Sequence, residues 1–174
     1  MVIITVSGTP GSGKSTVAQL LEEKLSIEYV YSGMIFRTLA KKYKMSLEEF
    51  GKYCENNEDV DRELDDKQLE ILKKGDVILE GRLAGWLAYK NNISAFKIMI
   101  DTDLDTRAER IVKREGGDIK VRKKEIIKRE KSESLRYKNY YDIDLSDTSI
   151  YDIVIDSGTK TPEEIVDIIL KKLN

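Results

Sequence analysis

Short apolar runs alternate along the chain with longer segments of helical periodicity. Five of the runs are rich in β-branched residues and are bounded by polar residues or glycine, which predicts five short strands. These strands cover residues 2–7, about 28–31, 77–80, 96–100 and 150–155. The alternation is typical of an α/β protein in which helices cover both faces of a parallel sheet.

Two helical segments carry clear start signals. Ser46 precedes Glu49 by three residues, the spacing of a capping box, and Thr161 is followed by a proline and then by Glu164. The first signal predicts a helix that begins after Ser46. The second predicts a final helix that ends at about Leu173.

Two connections between the predicted strands are far longer than a crossover helix requires. The first, at about residues 33–75, is acidic and helical in pattern, and the second, at about residues 107–138, is strongly basic. Insertions of this kind lie over the crevice in which an open α/β sheet binds its ligands. We therefore expect a single domain, residues 1–174, with a helical insert and a basic lid.

The strongest chemical signal follows the first predicted strand and precedes a helix. Residues 8–15 read GTPGSGKS and match the phosphate-binding loop GxxxxGK[ST] at every fixed position. In such a loop, backbone N–H groups and the N-terminus of the helix surround the phosphates of a nucleoside triphosphate. The predicted triphosphate site consists of Gly8, Thr9, Pro10, Gly11, Ser12, Gly13, Lys14, Ser15 and Thr16.

Three side chains at or near this loop have individual expected roles. Lys14 should reach the β- and γ-phosphates, and the Ser15 hydroxyl should ligate Mg²⁺. Glu80 ends the third predicted strand, close to the loop, and could orient waters on that Mg²⁺. A salt bridge at the end of the strand is the alternative role for Glu80.

Composition excludes several other kinds of chemistry. The chain has no histidine and one cysteine, Cys54, which rules out histidine-based triads, the usual zinc sites and an internal disulfide. Because 30 Lys and Arg balance 32 Asp and Glu, the overall charge gives no nucleic-acid signal. Without a leader pattern or a run long enough to span a membrane, we expect a cytoplasmic protein with neither nucleic-acid nor membrane partners.

Four further stretches carry a family resemblance. They are residues 31–37 (YSGMIFR), 78–82 (ILEGR), 107–110 (RAER) and 149–156 (SIYDIVID). Together with the phosphate loop they resemble the cytidylate kinases, in particular the short archaeal form. The resemblance implies the three-layer P-loop NTPase fold of nucleoside monophosphate kinases, in which the helical insert binds the monophosphate and the basic segment is a lid.

The same resemblance implies a reaction and its substrates. The γ-phosphoryl group of ATP would be transferred to CMP in the presence of Mg²⁺, and dCMP is a further candidate acceptor. Such a transfer needs charge neutralisation, in-line positioning and exclusion of water, and it needs no histidine. We expect a monomer that acts on these small molecules.

Arginine side chains are the candidates for binding the acceptor phosphate. Arg37 follows the second strand by about one helical turn, and Arg82 lies beside Gly81 after the third strand. The planar guanidinium of each matches two phosphate oxygens. For both residues, an arginine exposed on the flank of a helix is the alternative.

The acceptor base has weaker candidates. A cytosine site needs an acceptor for the amino group and nearby donors, all shielded from water. Asp61 in the acidic insert is our candidate for the amino group, with Asp65 as a second, and a solvated helix face is the alternative. Ser32 is a candidate hydroxyl contact near the base or ribose, with helix capping as its alternative.

The basic segment contributes the remaining candidates. The resemblance implies that Arg110 lies over the adenine of ATP and near the transferred group. It also implies that Arg129 and Glu133 grip the ribose hydroxyls and the phosphate from the far side of the lid, beside Arg136. A solvated helix with i,i+4 charge pairs is the alternative. The candidate catalytic residues are thus Lys14, Arg37, Arg110 and Arg136.

Two other functions stay open on sequence grounds. The acceptor of the same reaction could be AMP, UMP, dTMP or shikimate. A GTP-dependent switch belongs to a different class, but the chain contains neither an NKxD string that would read guanine nor a DxxG string after a strand.

Overall fold

A parallel sheet of five strands lies at the centre of the described structure. The computed structural model describes residues 1–173, without the side chains of residues 47 and 48. The strand order is β2-β3-β1-β4-β5, and every neighbouring pair is parallel. The strands are β1 (Ile3–Gly8), β2 (Glu28–Tyr31), β3 (Val77–Glu80), β4 (Phe96–Asp101) and β5 (Ile153–Asp156).

Helices cover both faces of the sheet, as the sequence predicts. They are α1 (Lys14–Leu25), α2 (Ser32–Lys42), α3 (Leu47–Asn56), α4 (Glu58–Lys74), α5 (Ala84–Lys90), α6 (Leu104–Glu115), α7 (Ile119–Tyr141) and α8 (Pro162–Leu173). None of these helices, within residues 1–173, has the length and apolar character that crossing a membrane requires.

Two hydrophobic clusters, one on each face, hold the layers together. Helices α1 and α8 contribute to one cluster, and helices α2 to α5 contribute to the other. Strand β3 shows the reason, because Ile78 belongs to the first cluster whereas Val77 and Leu79 belong to the second. Successive side chains of a strand point to opposite faces, so a run of apolar residues serves both cores.

Both predicted helix starts are confirmed. The Ser46 hydroxyl accepts a hydrogen bond from the Glu49 N–H, and the Glu49 carboxylate accepts one from the Ser46 N–H, so α3 begins with a full capping box. The same reciprocal pair joins Thr161 and Glu164 ahead of α8. Both pairs satisfy backbone donors that a helix N-terminus leaves without partners.

The prediction for the fifth strand is wrong at its start. Strand β5 begins at Ile153, three residues later than the apolar pattern indicates. Ile150 is buried in the core, but it lies in a turn in which the Tyr151 N–H donates to the Thr148 carbonyl. Its hydrophobic character reports burial and not strand pairing.

The two long connections are helical and meet over one edge of the sheet. Helices α2 to α4 link β2 to β3, whereas α6 and α7 link β4 to β5. Helix α7 reaches α4 through Arg136, whose Nη1 lies 3.0 Å from Asp61 Oδ1, and through the Tyr141 hydroxyl, which donates to Asp65. These contacts enclose space above the carboxyl ends of the strands.

Candidate active site

The phosphate loop runs from β1 into α1 in the order that its chemistry requires. Gly11 and Gly13 adopt φ values of 81° and 90°, which glycine reaches without strain. Gly13 precedes α1 and no side chain caps that helix, so its first N–H groups are open toward a ligand. This arrangement is an anion site built from backbone.

Lys14 and Ser15 leave the loop toward a buried carboxylate. The Lys14 Nζ lies 3.4 Å from the Thr9 carbonyl oxygen and 3.8 Å from Glu80 Oε1. Burial lowers the pKa of Lys14, although the Glu80 charge offsets part of that effect. The Ser15 hydroxyl donates to the same Glu80 oxygen at 3.0 Å, and the Tyr29 hydroxyl donates to the other.

These oxygens fit a magnesium ion that arrives with a nucleotide. Mg²⁺ prefers oxygen ligands and keeps one or two protein contacts besides water and phosphate. Ser15 and Glu80 supply a hydroxyl and a carboxylate side by side. Within the described part of the chain, no group of three or more His, Cys, Asp or Glu residues could form a protein-only cage.

A cavity of about 340 Å³ adjoins the loop on the side of β5. Arg110 lies against it, where Nη1 donates to the Ser12 carbonyl at 3.2 Å and to Ser157 Oγ at 2.9 Å. Its Nη2 donates to the Ser157 carbonyl at 2.7 Å. The walls also include Thr16, Arg114, Lys160, Pro162 and Ile165.

A second cavity, of about 560 Å³, lies between α2 to α4 and α7. It brings together seven residues that the sequence predicts for the acceptor site or for catalysis: Ser32, Asp61, Asp65, Arg82, Arg129, Glu133 and Arg136. Gly81 lies behind the wall, where a Cβ would approach both Ser32 Oγ and Gln68 Oε1 to 3.0 Å. Glycine at this position keeps room for both polar groups.

Glu133 joins two of these arginines. It is 5% exposed, and its carboxylate accepts from Arg82 Nε at 2.7 Å and from Arg129 Nε at 2.9 Å. Burial alone would raise the pKa of Glu133, but the charges of Arg82 and Arg129 more than offset it, so the pKa lies below its usual range. Arg82 Nη1 also donates to the Gly8 carbonyl at 3.2 Å, which links α7 to the phosphate loop.

The part of the cavity beside α4 is lined by polar groups in apolar surroundings. Burial raises the pKa of Asp61, and the Arg136 guanidinium offsets only part of that rise. Burial also raises the pKa of Asp65 to about 7, against the lowering effect of the Tyr141 hydrogen bond. Among the described residues, Asp61 Oδ2, Gln68 Oε1 and Arg136 Nε are buried without a hydrogen-bond partner. The walls around them include Phe36, Cys54, Leu64, Leu83 and Tyr137.

Comparisons with known proteins agree with this geometry. Residues 3–159 match the cytidylate kinase-like family. The chain belongs to this family. A cytidylate kinase of Methanocaldococcus jannaschii is 47% identical over 169 residues, which cover 97% of this chain and 95% of the relative. A cytidylate kinase of Methanococcus aeolicus is 44% identical over the same shares of the two chains.

Solved structures show the same fold at low identity. A shikimate kinase from Bacteroides thetaiotaomicron superposes with a TM-score of 0.68 at 13% identity, over 99% of this chain and 98% of its own. At this identity the likeness concerns the fold alone. The cytidylate kinase-like chain therefore has the P-loop kinase architecture that its sequence predicts.

Six predicted site residues of this cytidylate kinase-like chain line neither of the two cavities: Gly8, Thr9, Pro10, Arg37, Glu80 and Gly81. Arg37 is exposed, and its Nη1 donates to the Tyr31 hydroxyl at 2.7 Å while the guanidinium lies 5.8 Å from the centre of the Tyr31 ring. Arg107, which belongs to one of the family-like stretches, is buried and pairs with Glu130 at 2.8 Å. Its position indicates a structural role between α6 and α7.

Other residues of the two cavities, and one that contacts Glu80, carried no sequence signal. Ser157 and Lys160 follow β5 outside any motif, and only their place at the carboxyl end of a strand could have pointed to them. Tyr29 lies on β2 and holds Glu80, a contact that no local pattern indicates. Gln68 lies on the buried side of α4. In the sequence it stands among charged residues, which favour the interpretation of a solvated helix.

Proposed function

We propose that this member of the cytidylate kinase-like family transfers the γ-phosphoryl group of ATP to CMP and releases CDP and ADP. One observation carries the proposal: a phosphate-loop cavity and a second, arginine-lined cavity are joined by Arg82, which contacts both the loop and Glu133. Such a pair of sites suits a triphosphate donor and an anionic acceptor. Relatives that carry the name cytidylate kinase favour CMP over the other acceptors and over a GTP-dependent switch.

On the donor side, the loop binds the triphosphate of ATP through residues 8–16. Lys14 neutralises charge on the β- and γ-phosphates, and Arg110 lies beside the adenine and the transferred group. When Mg²⁺ is bound, it neutralises further phosphate charge, and it would be held by Ser15 and, through water, by Glu80. Since the Lys14 side chain is only 16% exposed, its charge acts in a medium of low polarity, which strengthens its effect on the phosphates.

On the acceptor side, Arg37, Arg82 and Arg129 bind the phosphate of CMP, with Arg136 beside the transferred group. Glu133 holds the guanidinium groups of Arg82 and Arg129 in place, and this saves the entropy of ordering them during the reaction. The base and ribose lie near Ser32, Asp61 and Gly81. Ser32 and Asp61 line this part of the cavity, and Gly81 lies directly behind its wall. In this arrangement the protein supplies position and charge, without a nucleophile of its own.

We further propose the division of labour within one domain of residues 1–174. The insert at about residues 33–75 binds the monophosphate, and the segment at about residues 107–138 closes as a lid that keeps water from the transferred group. We propose a monomer that works in the cytoplasm on ATP, CMP and dCMP, without nucleic-acid or membrane partners.

A coupled assay of ADP release tests the proposal. The purified protein is supplied with ATP, Mg²⁺ and one acceptor at a time from the set CMP, dCMP, UMP, AMP, dTMP and shikimate. We expect the highest kcat/KM with CMP. A higher value with AMP or shikimate, or ADP release that does not depend on any acceptor, would overturn it.

A further inference from the structure

We propose that the side-chain carbonyl of Gln68 selects the acceptor base by accepting a hydrogen bond from its exocyclic amino group. Asp65 acts as the positioning residue that turns this carbonyl toward the base. The inference rests on the proposed transfer to CMP and concerns the discrimination of cytosine from uracil.

The position of Gln68 is that of a binding group. The side chain lines the larger cavity although the residue is only 2% exposed, and its Oε1 has no partner among the described residues. The absence of a side chain at Gly81 provides the space around this oxygen. A buried acceptor without a partner destabilises the protein unless a ligand supplies the missing donor.

Asp65 fixes which end of the Gln68 amide meets the ligand. The Gln68 Nε2 donates to Asp65 Oδ1 at 3.2 Å, and the other oxygen of Asp65 accepts from the Tyr141 hydroxyl. An ionised carboxylate only accepts hydrogen bonds, so it holds the NH₂ end of the amide. The carbonyl end is then left without a partner in the part of the chain that the structure describes.

The unpartnered groups of the cavity complement cytosine. They are two acceptors, Gln68 Oε1 and Asp61 Oδ2, and one donor, Arg136 Nε. Cytosine presents two N–H hydrogens on its amino group and acceptors at N3 and O2. Uracil places an oxygen where cytosine has the amino group, and this oxygen would face the Gln68 carbonyl without a hydrogen between them.

The expected discrimination is large because the surroundings are apolar. A site built to hydrogen-bond one group rejects the analogue that leaves its buried polar atoms unpaired. Phe36, Leu64 and Tyr137 line the same cavity and provide apolar surface around these groups. We expect this contact to contribute about 10- to 100-fold to the ratio of kcat/KM for CMP and UMP.

The test compares kcat/KM for CMP and for UMP at pH 8 in four proteins: the wild type, Gln68→Met, Asp65→Asn and Asp66→Asn. Methionine keeps the length of the glutamine side chain, but its thioether is only a weak acceptor for the amino group, so Gln68→Met should lower the CMP:UMP ratio about 10- to 100-fold. Asp66 is the matched control because it is exposed and adjacent to Asp65, and its variant should keep the wild-type ratio.

Asp65→Asn separates positioning from mere support of the fold. The amide that this substitution introduces can donate to the Gln68 carbonyl, which turns the Gln68 NH₂ toward the base and suits the oxygen of uracil. Turnover of UMP should therefore rise while turnover of CMP falls. A purely structural role would lower both together.

The outcomes distinguish this inference from the proposed function. If the wild type does not phosphorylate CMP, the proposed function fails. If it does, and folded Gln68→Met keeps the wild-type CMP:UMP ratio or loses both activities in proportion, the role of Gln68 is refuted. If folded Asp65→Asn does so, the positioning role of Asp65 is refuted. Circular dichroism establishes that each variant is folded.

Discussion

Asp65 should make the stability of the protein depend on pH in a way that one substitution removes. The residue is 6% exposed, and burial raises its pKa from the ordinary 3.8 to about 7. Between these two pKa values the folded protein binds the proton that the unfolded chain has released. The free energy of unfolding therefore falls as the pH rises through this window, and the loss is complete above about pH 8.

The size of the effect follows from the same two pKa values. A difference of about three pKa units at about 1.4 kcal/mol each amounts to about 4 kcal/mol when the carboxyl is fully ionised. At pH 5 the Asp65 carboxyl is already ionised in the unfolded chain, which lowers the free energy of unfolding by about 1.5 kcal/mol of this total. The free energy of unfolding of Asp65→Asn, measured relative to that of the wild type, should therefore be about 2–3 kcal/mol higher at pH 8 than at pH 5.

Urea denaturation at pH 5 and pH 8 measures this difference directly. The wild type and Asp65→Asn are compared with Asp66→Asn, which makes the same chemical change at an exposed position of α4. The control should follow the wild type at both pH values. If the free energies of unfolding of the wild type and Asp65→Asn differ by the same amount at both pH values, Asp65 does not carry a raised pKa and the reasoning is refuted.

Two further substitutions probe the acceptor site. Arg37→Ala should raise KM for CMP about 10-fold or more and leave KM for ATP unchanged, because a charged hydrogen bond to the acceptor phosphate is lost. Initial rates at varied CMP and at varied ATP measure the two KM values. A defect confined to ATP would contradict the prediction. Glu133→Gln should lower kcat/KM for CMP and lower the free energy of unfolding by about 3 kcal/mol, since Arg82 then lacks its buried counter-charge. The matched control is Glu125→Gln. Because the carboxylate of Glu125 is exposed, this change should alter the free energy of unfolding by less than about 0.5 kcal/mol.

The local features of this protein were predictable from sequence because they depend on near neighbours. The phosphate loop needs a strand before it and a helix after it, and the capping boxes join residues only three apart. The start of β5 was mispredicted because Ile150 is buried in the core but lies in a turn ahead of the strand. A hydrophobic pattern reports burial, and it does not distinguish a buried turn from a strand.

The partners of the site residues were much less predictable. The sequence predicted site roles for Arg82 and Arg129, but not that Glu133 would join the two, because a contact across 51 residues leaves no local pattern. Gln68 was missed since an amide among charged residues resembles a solvated helix face until the fold buries it. Arg37 was placed after the correct strand, yet its guanidinium lies on Tyr31 and not in the cavity wall.

The central claim is that the γ-phosphoryl group of ATP moves to CMP, and its fate can be followed directly. The protein is incubated with ATP labelled in the γ-phosphate, Mg²⁺ and CMP, and the products are separated by chromatography. We predict that the label appears in CDP with the wild type and stays in ATP with Lys14→Ala, whose folded state circular dichroism verifies. Label that appears as inorganic phosphate while CMP is unchanged would contradict the account.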